Sequence, residues 1–368
     1  MNDLADLQSA AEGGDARAQF DLARRLYDEN RPGEALPWLE RAAKGGDAQA
    51  SLALGMRMLT GHGAPMNPKA GGQYIADAAR RGDPEACRAF AALAAEGCTM
   101  PQDWAGALDA LQRGAELGEA SCREQLALLT SDNAARAAIE AGDASETIWA
   151  QARAAIDIPA WLRTVPGKSL SQAPRIWTFD DFLEPEICAW MIRQADGKLT
   201  PAAIYDDTSG APLKSERRSN THCVFHPVRA DVVQAIVRAR IAKVAALPQD
   251  HLELLSVLHY DPGQEFRRHV DFLDANLPRL AEELARFGQR LATCLIYLNE
   301  DFDGAETEFP VLALKWKGKI GGAILFWNVE PSGALDRRTM HAGRPPTRGE
   351  KWLLSQFVRE KPQPLPSP

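Results

Sequence analysis

Four similar blocks, AAEGGDARA, AAKGGDAQA, AARRGDPEA and GAELGEASC, recur through the first third of this 368-residue chain. They are anchored on Gly14, Gly46, Gly82 and Gly118, at intervals of 32, 36 and 36 residues. Self-similarity at such a period constrains the fold strongly. A unit of this length cannot bury its own apolar face and must stack on the next. Each block follows one helix-like run (ALPWLERAAK, GGQYIADAARR, ALDALQRGAEL) and precedes another (AQFDLARRLY, ASLALGMRML, ACRAFAALAAEG). Glycine closing a helix supports a left-handed stop, and the alanines that follow let neighbouring helices approach closely. Residues 1–130 are therefore expected to form an all-α solenoid of helical hairpins, with a shortened first repeat and a degenerate fourth acting as an end cap.

The stretch LALGMRMLTGHGAPMNPKAGGQYIADAARRGD resembles the Sel-one-type, tetratricopeptide-related family at its L-G, G-x-G and A-x-x-x-x-x-A-A-x-x-G-D positions. That resemblance implies a concave surface that docks a protein or peptide. The plainer alternative is a set of helices that only stabilises or solubilises its neighbour. His62, in TGHGAP, reads as a turn residue, because no second metal ligand stands near it.

The length of the chain suggests two domains or three, and either half can bury its own core. A hydrophobic fraction of 45% with 25% charged residues is that of an ordinary globular protein. No apolar run approaches the ~20 residues of a membrane span. The start, MNDLADLQSAAEGGDARAQ, lacks a basic region followed by an apolar one, so a cytoplasmic address is expected. Six scattered cysteines with no C-x-x-C pair are expected to be buried thiols. A formal net charge of −8 disfavours nucleic acid as a partner.

Residues 131–171 begin Ala-rich and helical, then turn to PAWLRTVPGKSLSQAPR, whose three prolines suggest a connector. From there the period changes. RIWTFDDFL reads as strand and turn, EPEICAWMIRQAD as an amphipathic helix, and LELLSVLHY, LATCLIYLN, GGAILFWN and KWLLSQFVR as strands. Residues 172–362 are thus expected to form a β-sandwich or jelly roll with helices packed on one side.

Within that half, YDPGQEFRRHVD places His269 and Asp271 two apart, where a strand would project both to one face. His341, in MHAGRPPTRGEKW, is the best candidate for a third ligand. Two imidazoles and a carboxylate leave coordination positions open, the arrangement of non-heme Fe(II) oxygenases, whereas a closed zinc site would want four ligands and prominent cysteines.

Four ordered stretches, LSVLHYDPGQEFRRHVDF, QRLATCLIYLNEDFDGAETEFP, GGAILFWN and HAGRPPTRGEKW, make this half similar to the prolyl 4-hydroxylase-type Fe(II)/2-oxoglutarate dioxygenases. The resemblance implies a double-stranded β-helix (jelly roll) and the cofactors Fe(II), 2-oxoglutarate and O2, with ascorbate as a candidate reductant. It implies that His269, Asp271 and His341 hold iron. Lys351 would pair with the far carboxylate of 2-oxoglutarate and Tyr260 would hydrogen-bond the same end. Thr293 is expected to face the cosubstrate, and Arg290 matches a position used toward a peptide substrate. Phe357 stands where peptidyl-proline hydroxylases commonly carry a tryptophan, and Gly304-Ala305-Glu306-Thr307 replaces the usual G-G-x-T.

The implied function is hydroxylation of a prolyl or other residue of a protein or peptide, with release of succinate and CO2 and with the repeats helping to select the target. The alternatives are hydroxylation of a free amino acid or other small molecule, and a repeat scaffold carrying an inactive oxygenase fold. NLPRLAEELARFGQR is an amphipathic insertion that could rim the pocket, and residues 205–220 are expected to be a loop over the substrate. His222, His226, His259 and His251 receive structural or solvent-exposed readings, with His259 on the strand face opposite Tyr260.

Overall fold

The repeats become helix pairs. In this computed structural model, which describes residues 2–202, 204–205, 212–213, 217–226 and 229–364, α1 (Asn2–Glu12) pairs with α2 (Ala16–Asp28) and α3 (Pro32–Lys44) with α4 (Ala48–Thr60). The series continues through α5 (Pro68–Arg80) with α6 (Pro84–Glu96) and α7 (Trp104–Glu116) with α8 (Ala120–Leu129). All four anchor glycines have positive φ, between 85° and 96°. The acidic residue after each glycine then caps the next helix: Asp15, Asp47, Asp83 and Glu119 accept from the amides of Ala18, Ala50, Ala86 and Cys122 at 2.6–2.8 Å. One dipeptide thus ends a helix and starts another. Between α4 and α5 the backbones come so close that a Cβ on Gly55 would lie 2.7 Å from the Gly71 carbonyl oxygen.

This compact unit extends to Trp161 and includes Pro227–Ile236; the other comprises Leu162–His226 and Val237–Pro364. The segment expected as a connector is structured. Its first part forms α9 (Asn133–Glu140), α10 (Glu146–Ala154) and α11 (Ile158–Trp161), with Trp149 fully buried. Its last part is a strand.

Strands run in order as β1 (Lys168–Gln172), β2 (Arg175–Phe179), β3 (Thr200–Pro201), β4 (Ile204–Tyr205), β5 (Pro212–Leu213), β6 (Thr221–Val224), β7 (Ser256–Tyr260) and β8 (Phe266–His269). There follow β9 (Arg290–Tyr297), β10 (Asp303–Gly304), β11 (Thr307–Phe309), β12 (Leu314–Trp316), β13 (Ala323–Trp327), β14 (His341–Gly343), β15 (Pro346–Arg348) and β16 (Lys351–Arg359). The larger sheet has the order β1-β2-β13-β9-β16-β7-β6-β3 and the smaller β12-β11-β14-β8; every pairing in them is antiparallel.

The core lies between these sheets. Ile176, Leu258, Tyr260, Leu295, Tyr297, Phe326 and Leu353 from the larger one meet Phe309 from the smaller, with Phe266 and Trp316 packed against them. This is the expected jelly roll, a double-stranded β-helix. The helices accompanying the strands are α12 (Pro185–Ala195), α13 (Val232–Ala245) and α14 (Pro278–Phe287), the last being the amphipathic insertion. The expected substrate-covering loop, 205–220, falls mostly outside the described residues. No helix among the described residues is long and apolar enough to cross a membrane. Five cysteines are buried, but Cys98 is exposed.

Candidate active site

Two short strands bring the histidines together. In the β8–β14 register His269 lies directly opposite His341, a cross-strand neighbourhood that no spacing along the chain displays. The Nε2 of His269 is 3.5 Å from Asp271 Oδ1, and that of His341 is 3.6 Å from Asp271 Oδ2. The potential ligand atoms of the three residues all lie within 4.8 Å of one another. β8 ends at His269, so Asp271 reaches the site from the bend that follows rather than from the same strand face.

Each imidazole is oriented by its other nitrogen. His269 Nδ1 faces the Arg267 carbonyl at 2.8 Å and His341 Nδ1 the Thr339 carbonyl at 3.1 Å. Nδ1–H donating to a carbonyl leaves the Nε2 lone pair free to face the centre, as metal-binding histidines require. Phe266 stacks on His269 with centroids 3.5 Å apart, and Phe326 abuts His341 at 4.8 Å. Burial, reinforced by His341, pushes His269 down to about 3, so it is neutral near pH 7. Burial alone would raise the Asp271 carboxyl, but the two histidines and a hydrogen bond from Thr293 outweigh it and hold it low. Two imidazoles and a carboxylate, without a cysteine, suit a divalent first-row metal with open coordination positions.

Lys351, first residue of β16, is fully buried and pairs in register with Tyr260 of β7. Its Nζ donates to the Ala305 carbonyl at 2.8 Å and to the Tyr297 hydroxyl at 3.4 Å, and no carboxylate pairs with it among the described residues. Burial, with Lys317 adding repulsion and Glu306 opposing both, pushes it down to about 7. A buried ammonium held only by neutral oxygens is a receptor for an anion.

A family model, that of the 2OG-Fe(II) oxygenase superfamily, matches residues 255–359. Probable prolyl 4-hydroxylase 7 of Arabidopsis thaliana is 32% identical over 216 residues, 52% of this chain and 65% of that protein, so just under two thirds of that relative is spanned. Prolyl 4-hydroxylase 1 of the same organism is 33% identical over 206 residues, 52% of this chain and 71% of that one. The chain belongs to the 2OG-Fe(II) oxygenase superfamily. A solved Sel1 repeat protein from Oxalobacter formigenes is 29% identical, covering 34% of this chain and 97% of its own, with a TM-score of 0.33.

The family's cofactors are Fe(II), 2-oxoglutarate and O2, and the residues of this oxygenase fit them. The triad offers three convergent donors for the metal, and Lys351 the cationic end a dicarboxylate needs. Tyr260 is 2% exposed beside that lysine, its ring centroid 5.5 Å from Nζ.

Other expected site residues meet neighbours within the protein. The Thr293 hydroxyl donates to Asp271 Oδ2 at 2.7 Å. Asn328, whose role no motif marks, donates from Nδ2 to Thr293 Oγ1 at 3.0 Å. Arg290 and Phe357, both expected to meet substrate, meet each other: the guanidinium sits 3.8 Å from the ring centroid. Arg290 also donates from Nε and Nη2 to the two carboxylate oxygens of Glu253, at 2.6 and 2.9 Å. Glu253 in turn binds Arg359, which also pairs with Glu283 of α14. The amphipathic insertion is therefore tied to the end of β16. Arg290 is neither a surface arginine nor a free one.

The Arg218 guanidinium, marked by no motif, lies 4.6 Å over Phe266, the ring that stacks against His269. His251 is half-buried, with Nδ1 3.0 Å from the Arg359 carbonyl, rather than solvent-exposed. His259 does face away from Tyr260. It lies near Asp261 and Glu350, but Nε2 meets Glu350 at 3.1 Å and Nδ1 meets Thr221 at 3.3 Å.

Proposed function

We propose that the chain is a hydroxylase of prolyl residues in a protein or peptide, consuming 2-oxoglutarate and O2 at Fe(II) and releasing succinate and CO2. The observation that carries this reading is the convergence of two oriented imidazoles and a carboxylate in the same core as an unpaired, buried ammonium. The similarity to prolyl 4-hydroxylases supports the prolyl substrate.

His269, Asp271 and His341 would hold the iron. Lys351, with Tyr260 beside it, would take the far carboxylate of 2-oxoglutarate. Bound there, the iron and 2-oxoglutarate supply O2 activation, placing one oxygen atom in succinate and the other in the substrate C–H bond. The residues of the chain contribute position and exclusion. Carbonyls of Arg267 and Thr339 fix the imidazole tautomers, and Phe266, Phe309 and Phe326 wall the histidines with apolar surface. An anion against Lys351 favours the protonated amine, so the lysine keeps its proton at Nζ when cosubstrate is bound.

The repeat unit is proposed to capture the protein or peptide that carries the target residue. Binding of an identified substrate to residues 1–161 alone tests that assignment. The enzymatic reading is tested by succinate release from 2-oxoglutarate with Fe(II) and a peptide panel, followed by mass spectrometry for a gain of one oxygen. Lys351→Ala must abolish turnover while the metal still binds. Turnover unaffected by Lys351→Ala, or by His269→Ala, refutes the site.

A further inference from the structure

Behind the metal-facing triad lies a hydrogen-bond chain with a fixed direction. Asn328 Nδ2 donates to Thr293 Oγ1 at 3.0 Å, and Thr293 Oγ1 donates to Asp271 Oδ2 at 2.7 Å. Thr293 and Asn328 are fully buried and Asp271 is 6% exposed, so water does not compete freely for these bonds. A hydroxyl carries a single proton. Because the amide supplies a proton to Oγ1, the threonine's own proton is free to go to the carboxylate. If the amide were reversed, its carbonyl would draw that proton and Asp271 would lose its donor.

The backbone that carries this side chain is anchored on both sides. The Asn328 backbone N–H donates to the Leu291 carbonyl at 2.8 Å, and its carbonyl accepts from the Asp336 amide at 3.0 Å. Its side-chain Oδ1 is buried with no hydrogen-bond partner among the described residues. A buried carbonyl without a donor is unfavourable, so the orientation persists because the bond through Thr293 rewards it.

We infer that Asn328 and Thr293 are positioning residues that tie up Asp271 Oδ2 and commit the carboxylate to bind the metal through one oxygen. This rests on the metal-site reading proposed above. A short bond to an anionic acceptor is a strong one. Occupying Oδ2, it disfavours chelation by both oxygens, which would consume a coordination position that the cosubstrate or O2 needs.

The test uses the full chain and Co(II) as a spectroscopic probe, titrated anaerobically with and without 2-oxoglutarate, with circular dichroism to establish folding. Thr293→Val keeps the shape and removes the proton. It is expected to weaken Co(II) binding about tenfold or more, the range typical of lost outer-shell partners, and to change the visible Co(II) bands. Thr293→Ser restores the proton and is expected to stay within about threefold of wild type with the wild-type bands. Asn328→Asp, nearly the same size, offers Thr293 only an acceptor and is expected to weaken binding as Thr293→Val does.

A folded Thr293→Val protein with wild-type affinity and bands overturns the inference, as does wild-type behaviour in Asn328→Asp. Should Thr293→Val fail to fold, Asn328→Asp and Thr293→Ser decide the matter between them. Wild-type protein that binds no Co(II) would instead overturn the metal site itself, so the two failures are distinguishable.

Discussion

Replacing Lys351 with methionine is expected to make the metal-free protein more stable while removing its response to 2-oxoglutarate. The side chain is fully buried, and its amine sits at about 7 against an ordinary value of 10.5. At ~1.4 kcal/mol per pH unit, that displacement corresponds to about 5 kcal/mol against the charged form in the folded state. Because the folded pKa lies below the unfolded one, the penalty is fully present below pH 7. It fades as pH rises from about 7 to 10.5, where the unfolded chain holds the extra proton. Methionine fills similar space without charge. It forfeits the bond to the Ala305 carbonyl, a loss of about 1 kcal/mol.

The net expectation at pH 6 is a gain of a few kcal/mol at most. With about 2–4 °C per kcal/mol for a domain of this size, that is a rise of roughly 5–10 °C in Tm. The assay is thermal unfolding in chelator across pH 6 to 9.5, repeated with Mn(II) and 2-oxoglutarate. Wild type should gain stability toward alkaline pH and on adding cosubstrate. Lys351→Met should start higher and show neither response. A variant that melts at or below wild type at pH 6 refutes the claim of a costly, unpaired ammonium. One that is still stabilised by 2-oxoglutarate refutes the assignment of the lysine to the dicarboxylate.

Alanine at His269, Asp271 or His341 should lower succinate release by at least about a hundredfold and lower bound metal in parallel, measured by elemental analysis of protein loaded without oxygen. Glu253→Ala leaves Arg290 and Arg359 without their shared carboxylate, and should cost about 3–5 kcal/mol in chemical denaturation. Succinate release by that variant reports whether Arg290 also serves the site. In the repeat unit, Gly55→Val drives a side chain into the Gly71 carbonyl and should destabilise by roughly 1–3 kcal/mol, visible in thermal melts of the whole chain.

What could be read from residues alone follows a physical division. The repeat was legible because glycine and the acidic cap act locally, within one turn of chain. His269, Asp271, His341 and Lys351 were legible because their chemistry is scarce elsewhere and their motifs are ordered. β1 was read as connector because KSLSQ is an edge strand with four of five residues exposed, so no hydrophobic alternation marks it. The contacts of Thr293 with Asp271 and Asn328 are not legible along the chain because the three residues come from separate elements that only the fold brings together. The contact between Arg290 and Phe357 is likewise hidden in the sequence, because the two lie on strands that meet only in the sheet. Registers decide such questions, and registers are set by the whole sheet.

The pairing of His269 with His341 has its own consequence. Side chains alternate along a strand, so a one-residue slip between β8 and β14 would turn one imidazole outward and leave a single nitrogen beside the carboxylate. A molecule that zips this edge wrongly is one that cannot take up its metal. Register between these two short strands is thus what the convergence of the two imidazoles depends on.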